Sequence, residues 1–153
     1  MAQRLNGELI LALGSNLGNR KENLTKSISL INEHIGEVTI ISQYFENEPV
    51  DFDSKNQFIN MCVKVVSKKN PTEILKEIKS IEKSMGRTKT SKRYEDRPID
   101  IDIILYNELV LKSNQLIIPH PSYSKRPFVL APMCEIGDYL DPNVFLTCRQ
   151  LLE

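Results

Sequence analysis

Residues 57–86 read QFINMCVKVVSKKNPTEILKEIKSIEKSMG, and this stretch decides the fold. Its opening part, 57–66, is apolar enough to predict a strand central in a sheet. A helix then announces itself: Asn70 is a good N-cap, Pro71 fits the first helical position, and Glu73 completes a capping box. Ile74, Ile78, Ile81 and Met85 recur at helical spacing as a buried stripe, and Gly86 ends the helix.

Upstream, residues 8–14 contain Leu9-Ile10-Leu11-Ala12-Leu13, a buried strand by length and composition. Asn19 followed by Glu22 has the spacing of a capping box, Leu24, Ile28, Ile31 and Ile35 recur at helical spacing, and Gly36 stops that helix. Residues 38–45 predict a second strand, rich in β-branched side chains, followed by a polar, proline-containing loop over 46–56. Downstream, a basic loop over 87–97 leads into residues 99–106, which alternate with period two. The order β-α-β-β-α-β predicts an α+β ferredoxin-like fold, an antiparallel sheet with two helices on one face. Residues 109–111 and 116–118 suggest a small added hairpin, and the proline-punctuated remainder ends in a short helix near 147–152. The 153 residues make one domain, 1–153.

A globular chain of this length buries roughly 70% of its unfolded surface and needs no disulfide or structural metal. Hydrophobic content of 41%, charged content of 26% and zero formal net charge argue against a general nucleic-acid or membrane-surface binder. The charge is uneven, however. Residues 86–97 carry Arg87, Lys89, Lys92, Arg93 and Arg97 against Glu95 and Asp96, a surplus of three that suits a small anionic ligand. Cys62, Cys134 and Cys148 lack paired spacing, and Cys62 in its apolar run reads as a buried small hydrophobe. The opening MAQRLNGELILALG has too short an apolar stretch for a signal peptide, so a reducing cytoplasm is the simplest compartment.

In the strand over 99–106, Ile99, Ile101, Ile103 and Leu105 are expected on one face, and Asp100, Asp102, Ile104 and Tyr106 on the other. Two carboxylates at i and i+2 repel unless a cation sits between them, and hard oxygen ligands suit Mg²⁺. Alone, a D-x-D reads more readily as the solvated acidic face of an edge strand than as a metal site. Beside Arg87, Lys89, Arg93 and Arg97 it supplies the parts of phosphoryl transfer: carboxylates for a metal, guanidinium groups for phosphate oxygens. The turn Gly14-Ser15-Asn16-Leu17-Gly18-Asn19 could let an anion approach the backbone, but it is not a P-loop and reads more simply as a tight strand-to-helix turn. Phe58 and Asn60 share a strand face and could stack and hydrogen-bond a flat heterocycle, or Phe58 could simply pack in the core. His120, in the rigid Pro119-His120-Pro121, could donate to a phosphate, act in acid–base chemistry, or be structural.

These residues in this order resemble the 6-hydroxymethyl-7,8-dihydropterin pyrophosphokinases of folate synthesis. The resemblance rests on Leu13-Gly14-Ser15-Asn16-Leu17-Gly18, Phe58-Ile59-Asn60, Glu82 with Gly86-Arg87, Arg97-Pro98-Ile99-Asp100-Ile101-Asp102-Ile103, and Pro119-His120-Pro121 with Arg126 and Phe128. It implies transfer of diphosphate from ATP, as co-substrate, to the pterin hydroxymethyl group, with AMP released. It implies that Asp100 and Asp102 hold two Mg²⁺ ions, and that Arg87, Arg93 and Arg97 join them as catalytic residues, Arg93 on a mobile loop that closes over ATP. ATP would be bound by Glu82, Arg87, Lys89, Arg97, Ile103, Ile117, His120 and Arg126, and the pterin by Asn47, Pro49, Val50, Phe58, Asn60, Tyr94 and Phe128. Asn47-Glu48-Pro49 stands where Thr-Pro-Pro or Thr-Glu-Pro is usual in the family, and Lys89, Tyr94 and Pro121 stand where some members carry an arginine, a tryptophan and a tyrosine. The expected partners are these two small molecules, with no nucleic acid and no membrane, and the chain acts as a monomer or, alternatively, a dimer. Two rival readings compete with this one. One is a ferredoxin-like phosphotransferase with His120 as phosphorylated nucleophile; the other is a non-enzymatic nucleotide- or RNA-binding module.

Overall fold

β1 (Gly7–Ser15) runs down the middle of the sheet, antiparallel to β4 (Phe58–Ser67) on one side and to β5 (Asp100–Tyr106) on the other. β2 (Glu37–Ile41) and then β3 (Phe45–Asn47) pair along the outer edge of β4, giving the order β2-β4-β1-β5. α1 (Arg20–His34) follows β1 and α2 (Pro71–Ser84) follows β4, so the ferredoxin-like βαββαβ arrangement is present. The computed structural model describes residues 6–47, 56–87 and 96–153. The expected positions Pro49, Val50, Lys89, Arg93 and Tyr94 lie outside the described residues.

Local chemistry sets the helix boundaries. At α2 both halves of the box form: the Glu73 N–H donates to Asn70 Oδ1 (2.9 Å), and the Asn70 N–H donates to Glu73 Oε1 (3.2 Å). At α1 the Glu22 N–H donates to Asn19 Oδ1 (3.1 Å), but the expected return bond does not form. Gly36 is required where α1 turns into β2, because a Cβ there would run into the Val66 carbonyl.

Leu24 and Ile31 of α1, with Ile74, Ile78 and Ile81 of α2, pack on Leu9, Leu11, Leu13, Ile59, Val63 and Ile101 from one sheet face. Each such buried aliphatic side chain contributes roughly 1.5–3 kcal/mol. The opposite face is covered by α3 (Pro127–Glu135) and α4 (Cys148–Leu152), which bury Ile10, Cys62, Ile104 and Leu105 against Leu130 and Met133. Burial pushes the Cys62 thiol up, with Cys134 and Cys148 adding to the effect, so it behaves as the small hydrophobe its sequence context suggested.

Four expectations are corrected. The strand over 38–45 is two strands: at Ser42 the hydroxyl accepts from the Cys62 N–H (2.9 Å) in place of a backbone carbonyl, and the edge breaks. In β5 the register shifts by one between Ile103 and Leu105, leaving Ile104 as an inserted residue opposite β1. Beyond that bulge the alternation reverses: Leu105 joins Ile104 on the α3 side, while Tyr106 turns toward the helices and donates to the Lys69 carbonyl (2.9 Å). Asp100 and Asp102 precede the bulge and keep their shared face. The hairpin is shorter than expected, β6 (Leu111–Lys112) against β7 (Ile117–Ile118). Finally, α3 lies in what read as irregular, proline-punctuated chain. Pro127 occupies its first turn at no cost, and burial of Val129, Leu130 and Met133 outweighs the bond lost at Pro132.

Candidate active site

A cleft of about 320 Å³ opens on the sheet face opposite α1 and α2. Asp100 and Asp102 reach it from β5, Phe58 and Asn60 from β4, Asn47 from β3, and Gly14 from β1. Arg87 enters from just past α2, Arg97 from just before β5, and His120, Arg126 and Phe128 from the segment leading into α3. Three expected ligands do not line it. Glu82 sits behind Arg87, Ile103 is buried on the helix side, and Ile117 is exposed on β7.

The charges form one connected group. Arg87 Nη1 lies 2.6 Å from Glu82 Oε2 and 2.9 Å from Asp100 Oδ1, and Arg97 Nη2 lies 3.3 Å from Asp100 Oδ2. Both oxygens of Asp100 are therefore held by guanidinium groups. Glu82 also accepts from the Ile101 N–H (3.0 Å), which fastens α2 to β5. Burial lifts Glu82 above the ordinary carboxyl value, with Arg87 opposing and Asp100 adding. At Arg87 burial opposes the charge, but Asp100 and Glu82 together hold its proton more firmly than usual.

Asp102 is different. It accepts no hydrogen bond among the described residues, and burial, then the charges of Asp100 and Glu82, push it up to about 8 against weaker pulls from Arg126 and Arg97. A carboxyl placed beside a second one without a partner of its own fits a divalent cation, whose charge would expel that proton. Among the described residues no group of three or more His, Cys, Asp and Glu side chains is arranged around a metal. Two carboxylates leave most coordination positions to phosphate oxygens and water, the donor set Mg²⁺ prefers.

His120 accepts the Ser122 N–H at Nδ1 (3.1 Å), so in the neutral ring the proton sits on Nε2. Burial, followed by the Arg126 charge, lowers it to about 4, with Asp100 opposing, so the ring is neutral at pH 7. Asn60 donates through Nδ2 to Asn47 Oδ1 and to the Phe45 carbonyl (3.4 Å), which fixes the end of the amide that faces β3. Arg97 stacks over the Phe58 ring (5.3 Å) and Arg126 over the Phe128 ring (6.0 Å). Sequence reading missed Ala12, which faces Asp102 across the β1–β5 pair and lines the cleft floor. Its small size within an otherwise bulky apolar run was the available signal. Asn16, read only as part of the turn after β1, and Asp96, read only as a charge of the basic loop, lie behind Arg97.

Fold and site together define a ferredoxin-like α+β protein in which an acidic pair and a set of arginines share one cleft with an aromatic–carboxamide pair. A family model described as 7,8-dihydro-6-hydroxymethylpterin-pyrophosphokinase (HPPK) matches residues 10–138. The chain belongs to this family. It is 39% identical over 133 residues to the 2-amino-4-hydroxy-6-hydroxymethyldihydropteridine pyrophosphokinase of Bacillus subtilis, covering 86% of this chain and 79% of that protein. It is 41% identical over 129 residues to the folate synthesis bifunctional protein of Arabidopsis thaliana, covering 84% of this chain but only 27% of that longer one. In fold it matches a structure of Plasmodium falciparum HPPK-DHPS with pterin and p-hydroxybenzoate, at a TM-score of 0.75 and 18% identity, over 99% of this chain and 42% of that one.

Proposed function

We propose that this protein transfers the terminal diphosphate of ATP to the hydroxymethyl group of 6-hydroxymethyl-7,8-dihydropterin, giving the pterin diphosphate and AMP in folate synthesis. One observation carries this reading: the Asp100–Asp102 pair, Arg87 and Arg97 line the same cleft as Phe58, Asn60 and Phe128. A phosphate-handling half and a heterocycle-handling half thus meet within one small volume. Membership of the pyrophosphokinase family supports the same reaction.

In this mechanism Asp100 and Asp102 would hold Mg²⁺, with two ions expected. That metal would neutralise the charge that builds around the β-phosphorus during displacement. Arg87 and Arg97 would exchange their contacts with Asp100 for phosphate oxygens as the nucleotide enters, freeing the carboxylate. Arg126 and the Nε2–H of His120 add donors from the α3 side. Phe58 and Phe128 hold the pterin ring flat, and Asn60, its amide fixed by Asn47 and Phe45, reads the ring edge. With Nδ1 engaged by the Ser122 N–H, His120 presents a donor rather than a lone pair, which disfavours the phosphohistidine rival. The cytoplasm is the proposed site of action; among the described residues no helix is long and apolar enough to cross a membrane.

Product analysis tests the proposal. AMP must form from ATP only when the pterin and Mg²⁺ are both present. ADP as the product, or turnover without the pterin, rules the assignment out.

A further inference from the structure

The β1–β5 ladder ends at the Gly14–Asp100 pair, and Pro98 has no N–H to extend it. Arg97 is anchored instead by one residue of the turn after β1. The Asn16 N–H donates to the Arg97 carbonyl (3.2 Å), and Asn16 Oδ1 accepts the Arg97 N–H (2.7 Å). Asn16 is buried, 2% exposed. An asparagine amide is nearly symmetric in shape, so its two ends are distinguished by charge and hydrogen bonding alone. Its remaining group, Nδ2, donates to Asp96 Oδ1 (2.7 Å), while Asp96 Oδ2 accepts from Asn56 Nδ2 (3.1 Å).

We propose that Asp96 is a positioning residue for the transfer reaction: as an acceptor-only group it holds the Asn16 amide with its oxygen toward Arg97, and so sets where the Arg97 guanidinium lies. Ionised, a carboxylate cannot donate, so the amide has one orientation in which both ends are satisfied. The Arg97 backbone is then fixed, and its side chain reaches Asp100 Oδ2 (3.3 Å) across the Phe58 ring. Among the described residues, Arg97 Nε is the buried side-chain nitrogen left without a hydrogen-bond partner. That N–H is aimed by the backbone rather than by a contact of its own. Placement errors of this kind act on turnover more than on binding, because donors for developing charge must be in place beforehand.

The inference rests on Arg97 as a phosphate ligand, and the test keeps the two apart. Steady-state kinetics of AMP formation are measured for Asp96→Ala, Asp96→Asn, Arg97→Ala and the Asp96→Ala/Arg97→Ala pair, with thermal melting as a check on folding. Asp96→Ala is expected to lower kcat roughly tenfold with KM for both substrates within about threefold. It is expected to add nothing in the Arg97→Ala background, since both act through one guanidinium. Asp96→Asn keeps the shape but can present a donor to Asn16, and is expected to lose kcat by about threefold or more. Wild-type kcat in Asp96→Asn, or an undiminished effect of Asp96→Ala in the Arg97→Ala background, overturns the proposal. Unchanged turnover in Arg97→Ala itself overturns the phosphate role of Arg97 and this inference with it.

Discussion

Replacing Asp102 by Asn is expected to stabilise the ligand-free protein while abolishing turnover. The carboxyl is pushed from an ordinary 3.8 up to about 8, first by burial and then by Asp100 and Glu82. At pH 7 the unfolded chain leaves this group ionised, whereas the folded chain must take up a proton. At roughly 1.4 kcal/mol per pH unit above the ordinary value, folding is penalised by about 4 kcal/mol. That figure is a ceiling, because Arg97 and Arg126 can move toward the charge. The carboxamide is neutral at every pH and escapes the penalty. The sign follows from linkage: between the two values the folded state binds the extra proton, so wild-type stability falls as pH rises through this window. The gain from Asp102→Asn should therefore shrink to about 1 kcal/mol at pH 4.5. Urea unfolding of both proteins with chelator, at pH 4.5 and pH 7, measures the difference directly. A variant less stable than wild type at pH 7, or a gain independent of pH, would refute the argument that Asp102 is a strained carboxyl awaiting a cation.

Three further outcomes follow from the same geometry. Asp100→Asn should act with the opposite sign, costing about 1–3 kcal/mol, because it removes the shared counter-charge of Arg87 and Arg97; equal effects of the two carboxamides in the urea assay would contradict it. His120, lowered from 6.5 to about 4 by burial and Arg126, resists protonation in the folded state. The unfolded chain therefore gains the proton first as pH falls from 6.5 to 4, and about 3 kcal/mol of stability is lost across that window. His120→Gln should lack this part of the acid sensitivity, read as the difference between unfolding curves at pH 7 and pH 4.5. Gly14→Ala would place a Cβ 3.0 Å from Asn60 Oδ1 and 3.4 Å from Phe58 Cδ1. It should raise KM for the pterin about tenfold and leave KM for ATP nearly unchanged; an effect on ATP alone would remove the pterin from that end of the cleft.

Much of this site was legible along the chain, because its decisive parts are local. Asp100 and Asp102 share a face through strand alternation, as do Phe58 and Asn60, and all four line the cleft. The alternation failed two residues later. The bulge at Ile104 is an accommodation between β5 and β1, and nothing within 99–106 marks it. α3 escaped for a related reason: Pro127 and Pro132 argue against a helix locally, and only the sheet face that α3 covers argues for one.

Sequence alone thus settled the core β-α-β-β-α-β order, both interior helices and the shared face of Asp100 and Asp102, since spacing, caps and alternation act within a few residues. Tertiary structure alone decided the electrostatics. Glu82, Arg87, Arg97 and Asp100 form one charged group only because α2 and β5 lie side by side. Asp96 meets Asn16 across 80 residues of chain. Desolvation and Coulomb energy depend on what surrounds a group in space, so it was the fold that paired Asp100 with two arginines and left Asp102 holding its proton.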